Sequence, residues 1–393
     1  MNEKRTNHYK TDTRLVLTGR NSHENGGFVN PQVVHASTVL FEDMATLRGE
    51  KKSRYKYGRR GTPTTDALTD AICDLENAAG AVLTPSGLNA CTTAILSCVK
   101  SGDNIMMTDS VYEPTRDFCD GLLKDMGVTT TYYDPLIGAG IESLFSNNTT
   151  AVFTEAPGSQ TFEIQDIPAI AAVAHKRNMT VLMDNTWATA LYYDALGHGV
   201  DLSIQAGTKY MVGHADVMIG TIAANKKAWP NLIKTHGGLG LHVAPDDVYL
   251  ALRGLRTMKI RLEQHHKNVM DVIEWLQTQD EVTRILYPAL ESDPGHAIWK
   301  RDFTGATGLF SFILSPTSEI AIRALFDSFE LFGMGFSWGG YESLALQPDP
   351  SKCRTARPWT EDGHLVRLHI GLEDTSDLIT DLDNGFKALR AAS

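Results

Sequence analysis

From Thr64 onward, two hydrophobic periods alternate along the chain. Ala67, Leu68, Ala71, Ile72 and Leu75 recur at helical spacing behind a threonine, Thr64 or Thr65, of the type that caps a helix N-terminus. Val82-Leu83 then runs into the turn Thr84-Pro85-Ser86-Gly87, which predicts a strand leading into a helix that continues to Lys100. A strand over 104–108 and a helix through Met126 follow. Compact apolar runs at 128–133, 151–154, 181–183, 202–205 and 217–223 read as further strands, several separated by helical segments such as 168–178. This alternation predicts an α/β fold whose large domain is a mostly parallel, seven-stranded sheet covered by helices on both faces.

The texture changes after Pro245. Residues 246–279 read as one long helix with Leu250, Leu252, Leu255, Ile260, Leu262, Val269, Val272 and Ile273 along it. Beyond it, strands at 282–287, 309–314 and 365–370 and helices at 319–329 and 376–391 predict a smaller α+β domain. Residues 1–60 lack strong periodicity and carry Asn25-Gly26-Gly27 and Asn30-Pro31, which suggests an extended arm of the kind that crosses onto a neighbouring subunit. The expected division is an arm over 1–60, a large domain over 61–245 and a small C-terminal domain over 246–393.

At 393 residues the chain exceeds one ordinary core. With 42% hydrophobic and 21% charged residues it reads as a soluble globular protein, and no apolar run reaches the length a bilayer requires. The polar opening without an apolar core argues against a signal peptide, so a cytoplasmic enzyme is expected. A net charge of −11 argues against nucleic acid, whose phosphates require a basic face. The five cysteines show no Cys-x-x-Cys pair, and the adjacent His265 and His266 diverge around a helix, so neither a disulfide framework nor a metal site is expected.

Candidate chemistry centres on Lys209, where the strand-like run Ser203-Ile204-Gln205 breaks into Ala206-Gly207-Thr208 just before the amine. Upstream, Thr180-Val181-Leu182-Met183-Asp184 reads as a strand ending in a carboxylate. An amine that holds an aldehyde as a Schiff base and a carboxylate that keeps a pyridine nitrogen protonated are the two groups pyridoxal phosphate requires. Taken singly, the lysine is more often a solvated side chain and the aspartate a helix cap. Further positions point the same way. The turn at Ser86-Gly87-Leu88 opens a helix whose free amides suit a phosphate, and Tyr112 starts the next helix at the same end of the sheet, where its ring can stack on a pyridine. The run Tyr57-Gly58-Arg59-Arg60-Gly61 offers guanidinium groups between glycines. Arg367 is a charge inside an apolar strand; a bound carboxylate explains it, with pairing to Glu373 as the competing account.

In these runs, and in Met183-Asp184-Asn185-Thr186-Trp187, Thr208-Lys209-Tyr210, Phe336-Ser337-Trp338-Gly339-Gly340-Tyr341-Glu342-Ser343 and Arg367-Leu368-His369-Ile370-Gly371-Leu372-Glu373, the chain resembles the pyridoxal-phosphate enzymes of Cys/Met metabolism. The likeness runs from about Thr18 to about Ala388. It implies the type I fold of these transferases. It further implies that Lys209 carries the cofactor, Asp184 meets its ring nitrogen and Tyr112 stacks on its ring. Gly87, Leu88 and Thr208 would hold the phosphate, and Ser337 and Arg367 the substrate carboxylate. Tyr57 and Arg59 would reach a neighbouring subunit's cofactor, which makes the unit at least a dimer and, by family habit, a homotetramer. Trp338 stands where many relatives carry leucine, and it favours the branch that breaks the Cβ–S bond of cystathionine for methionine biosynthesis. At Ala206 other branches often carry a phosphate-binding serine. Alternatives from the same family are γ-elimination, γ-replacement and broad cysteine-S-conjugate β-elimination; from another class, a scaffold that binds no cofactor.

Overall fold

The computed structural model describes residues 8–393. Seven strands, β1 (Gly80–Thr84), β2 (Asn104–Thr108), β3 (Thr129–Tyr133), β4 (Thr149–Glu155), β5 (Thr180–Asp184), β6 (Leu202–Gln205) and β7 (Gly220–Ala224), form one sheet in the order β1-β7-β6-β5-β4-β2-β3. Only β7 runs against its neighbours. Burial on both faces explains why these strands are continuous apolar runs. Along β4, Val152 joins the apolar cluster on one face and Phe153 that on the other. The edge strand β3 is instead Thr-Thr-Thr-Tyr-Tyr and mostly half-exposed, which blunts a free edge.

A second sheet, β10-β11-β12-β9-β8, consists of β8 (Val282–Leu286), β9 (Leu309–Leu314), β10 (Gly333–Met334), β11 (Leu344–Leu346) and β12 (His364–His369). The larger apolar cluster runs without interruption from Leu68 and Val152 through Leu252 and Leu262 to Phe310 and Phe312 of β9. The two sheets therefore share a core. Short β10 and β11, and the helices Trp229–Leu239 and His296–Asp302, have too little periodicity to be foreseen.

Three expectations change. The single helix over 246–279 is two helices, Pro245–Leu255 and Met258–Leu276. The break lies where Gly254 meets the backbone of Val212 so closely that a Cβ would sit 2.4 Å from its carbonyl oxygen, and where Arg261 Nη2 donates to the carbonyls of Gly254 and Tyr210, both at 2.8 Å. A tertiary contact, invisible in the periodicity, overrides continuity of the helix. Secondly, the first large helix, Pro63–Leu75, is capped by Thr62 rather than Thr64 or Thr65: its hydroxyl accepts from the Thr65 amide, and Pro63 takes the first helical position, where a missing N–H costs nothing. Finally, the arm is not extended throughout. Thr11–Leu17 is a helix that buries Leu15 in the same chain's core, and Arg256 donates to the Leu15 carbonyl at 2.6 Å. The remainder of the arm leaves Phe28, Val29, Leu40, Met44 and Leu47 exposed.

Asp109, just past β2, ties the late loop to the first sheet. Its carboxylate accepts from the amides of Thr355, Ala356 and Arg357 and from Arg116 at 2.6 Å. Burial raises its pKa, but these donors outweigh burial and hold it below the usual carboxylate value. Asp109→Ala would strand the buried Arg116 guanidinium and three amides. We expect a loss of about 3–5 kcal/mol, read as a lowered urea midpoint; an unchanged midpoint would refute the role of this tie.

Candidate active site

Parallel pairing brings strand ends to one edge of the first sheet. β5 ends in Asp184 directly beside Glu155, the last residue of β4, and β6 ends one turn before Lys209. Crevices at the carboxyl ends of such strands are where open α/β sheets bind ligands. Lys209 is held by a turn in which its amide donates to the Ala206 carbonyl at 3.0 Å. Its Nζ donates to Ser337 Oγ at 2.6 Å and lies 5.2 Å from the centre of the Trp338 ring. Burial, then the positive charge of Arg367, lowers the Lys209 pKa to about 8, with Asp184 pulling against them. At neutral pH a minority of this amine, roughly a tenth, is therefore unprotonated, far more than for a lysine at its ordinary value.

Asp184 Oδ1 accepts from the Thr186 amide at 3.0 Å and from its hydroxyl, while the Cys91 thiol faces Oδ2 at 3.6 Å. Burial raises its pKa above the usual carboxylate value, and the Thr186 donors offset only part of that. Tyr112, immediately before the helix Glu113–Phe118, is 44% exposed, which leaves its ring open to the crevice. Its pKa is raised, above all by burial and also by the acidic groups around it, Asp184 among them, with Arg367 opposing. The loop carrying Ser337 and Trp338 folds over the lysine: Ser337 adopts φ +88°, and a Cβ on Gly339 would come within 3.0 Å of the Lys209 backbone. Tertiary structure thus gathers Lys209, Asp184, Tyr112, Ser337, Trp338 and Arg367 at one place.

Arg367 stands on β12 between Val366 and Leu368, both fully buried. Its Nη2 donates only to the Ser337 carbonyl, at 3.3 Å. Glu373, the alternative partner, instead accepts from the Ser343 amide at 2.7 Å and hydroxyl at 2.9 Å. A guanidinium so placed, with no carboxylate among the described residues to pair it, is suited to an anionic ligand.

At the helix Gly87–Leu96, Ser86 caps by accepting from the Asn89 amide at 3.1 Å, leaving the amides of Gly87 and Leu88 without intrahelical acceptors. A Cβ on Gly87 would lie 2.4 Å from that of Ala206, so only glycine allows this helix end to approach the Lys209 loop. The Thr208 hydroxyl, expected to hold the phosphate, donates to the Ile219 carbonyl at 3.2 Å and accepts from the Ile219 amide at 3.0 Å. Tyr57 and Arg59 are not brought into the pocket. Among the described residues neither side chain makes a hydrogen bond, and Tyr57 is 46% exposed. Sequence reasoning missed Glu155 and Cys91; the strand assigned over 151–154 stops one residue short of the carboxylate that pairs with Asp184.

A family model for the Cys/Met metabolism PLP-dependent enzymes matches residues 12–387. The chain belongs to this family. It is 52% identical over 384 residues to a putative cystathionine beta-lyase of Rhizobium johnstonii, covering 97% of this chain and 96% of that protein. It is 45% identical over 387 residues to the cystathionine beta-lyase of Escherichia coli, covering 96% and 98%. Among solved structures, a cystathionine gamma synthase from Xanthomonas oryzae pv. oryzae, in complex with aminoacrylate and cysteine, matches with a TM-score of 0.90 at 30% identity, covering 98% of this chain and 100% of that one. The cofactor of this family is pyridoxal 5'-phosphate. The pocket fits it: an amine and a carboxylate face one crevice, a glycine-lined helix end supplies free amides, and Arg367 lacks an anion. No three His, Cys, Asp or Glu side chains among the described residues cluster as a metal site, and no described helix is long and apolar enough to cross a membrane.

Because capture of an aldehyde requires an unprotonated amine, the rate at which cofactor-free protein takes up pyridoxal phosphate should rise with pH through about 8 and level off above it. Stopped-flow absorbance checks this. A midpoint near the ordinary lysine value of ~10.4 would refute the role of burial.

Proposed function

We propose that this chain catalyses β-elimination of L-cystathionine to homocysteine, pyruvate and ammonia, as a carbon–sulfur lyase of methionine biosynthesis. The observation that carries the reading is the Lys209 amine, depressed to about 8, in a hydrogen bond with Ser337 and beside an Arg367 free to take a carboxylate. The β-lyase names of relatives that are 45–52% identical favour cleavage at Cβ over the γ-chemistry named for the structural neighbour at 30%.

Pyridoxal 5'-phosphate, when bound, supplies the electron sink that makes a Cα proton removable. Arg367 grips the substrate α-carboxylate, assisted by Ser337. Lys209 takes the Cα proton and, once the Cβ–S bond breaks, returns a proton to sulfur, so homocysteine leaves as a thiol; water then releases pyruvate and ammonia. Asp184 would keep the ring nitrogen protonated, Tyr112 would stack on the ring, and Gly87, Leu88 and Thr208 would hold the phosphate. For Thr208 this means turning its hydroxyl away from the Ile219 carbonyl. Trp338 packs on Tyr210 with ring centres 5.3 Å apart and shapes the pocket next to Lys209.

In the same reading, residues 61–245 form the cofactor-binding domain and 246–393 the small domain. The part of the 1–60 arm beyond its first helix reaches a neighbouring subunit, where Tyr57 and Arg59 meet its cofactor phosphate. The exposed apolar side chains of the arm, Phe28, Val29, Leu40, Met44 and Leu47, support such a contact, since covering them removes apolar surface from water. A cytoplasmic homotetramer is the assembly we propose.

Lys209→Ala should lose both the absorbance band of the lysine-bound cofactor and turnover; retention of both refutes the assignment. Arg367→Ala should raise KM for cystathionine by about tenfold to a hundredfold, the scale of a charge-assisted hydrogen bond, whereas an unchanged KM would place the carboxylate elsewhere. Product analysis should find pyruvate and no 2-oxobutyrate. Mixing inactive Arg59→Ala with inactive Lys209→Ala subunits should restore part of the activity if sites are shared, and none if they are not.

A further inference from the structure

Two carboxylates end adjacent strands in this pocket. Glu155 and Asp184 are register partners on β4 and β5, so their backbones are neighbours and their side chains leave the sheet at the same edge. Their surroundings differ. Asp184 receives two donors from Thr186 and faces the Cys91 thiol, a set that suits an anion. Glu155 receives one, the Tyr112 amide, at 2.8 Å to Oε2, and its other oxygen has no donor among the described residues. The guanidinium close enough to act on it, Arg354, is already bound to Glu163 at 3.0 Å and to Thr161. Of two carboxyls at adjacent strand ends, the one with fewer donors is the one that more readily keeps its proton, and here that is Glu155, with a single donor against the two that Thr186 gives Asp184.

We propose that Glu155 is a positioning residue, a neutral carboxyl that fixes the main chain of Tyr112 by accepting from its amide while adding no second negative charge beside Asp184. Burial and the charge of Asp184 both push the Glu155 pKa well up, in agreement with this assignment. Two consequences follow for the pocket. Tyr112 stands immediately before the helix that begins at Glu113, and the hydrogen bond from its amide to Glu155 ties that helix start to the end of β4. Asp184 then remains the one charged carboxylate of the pair, so its charge is directed at a ring nitrogen rather than divided with a neighbour. The assignment rests on the reading that Tyr112 and Asp184 face the cofactor ring.

The test combines infrared spectroscopy with a rescue series. The loaded wild-type enzyme at neutral pH should show the C=O stretch of a protonated carboxyl, and the isosteric Glu155→Gln should lose it; if the wild type shows no such band, the proposal is overturned. Glu155→Ala, which removes the acceptor for the Tyr112 amide, should lower kcat by about tenfold, the effect of one lost hydrogen bond, and alter the visible spectrum of the bound cofactor. Glu155→Gln, neutral and still an acceptor, should restore both. Glutamine as impaired as alanine would mean that the charge is required, and alanine with wild-type kcat and spectrum would mean that no positioning occurs; either result overturns the proposal. Should the alanine variant fail to fold, the infrared comparison decides alone. Failure of the cofactor reading itself is distinguishable, because it appears in Lys209→Ala and leaves the carboxyl band untouched.

Discussion

Parallel hydrogen bonding between β4, β5 and β6 is the constraint from which the rest of the site follows. It sets Glu155 opposite Asp184 and carries β6 out to the same edge, where the chain turns at Ala206-Gly207-Thr208 to present an amine. A slip of one residue would send each side chain to the opposite face of the sheet. The apolar residues on both faces, Val152 against Phe153 and Val181 against Leu182, make such a slip costly and so protect the chemistry.

Within that frame, electrostatics is a matter of which charges are left without partners. Asp109 and Glu373, both near the pocket in sequence or space, are fully occupied by main-chain and side-chain donors. Arg367 has only a carbonyl and Lys209 only a hydroxyl. The pocket therefore presents two cationic groups with little to neutralise them. Burial and, after it, the charge of Arg367 lower the affinity of the Lys209 amine for a proton, while burial lowers that of Arg367 itself. Binding an anionic amino acid relieves the deficit.

The second sheet contributes more than bulk. Arg261, from the helix that packs between the sheets, holds the Tyr210 carbonyl one residue beyond Lys209, and the Ser337–Gly339 loop closes from above through two positive φ angles. That loop lies over a hundred residues from Lys209 in sequence. Its contact with the lysine depends on the continuous core that runs from Leu68 to Phe312.

Much was legible from local pattern alone. The apolar runs determined the strands of the first sheet, because strands buried on both faces leave nearly unbroken hydrophobic signatures, and residues such as Lys209 and Asp184 stood out by breaking such runs. Tertiary structure decided what periodicity does not encode. It split the helix near Gly254 through a backbone approach, moved the cap to Thr62, and returned the first helix of the arm to its own core. It also assigned Glu373 to Ser343 rather than Arg367, and set Glu155 next to Asp184. The physical reason is common to all of these: they depend on partners distant in sequence, whose proximity exists only after the chain has packed.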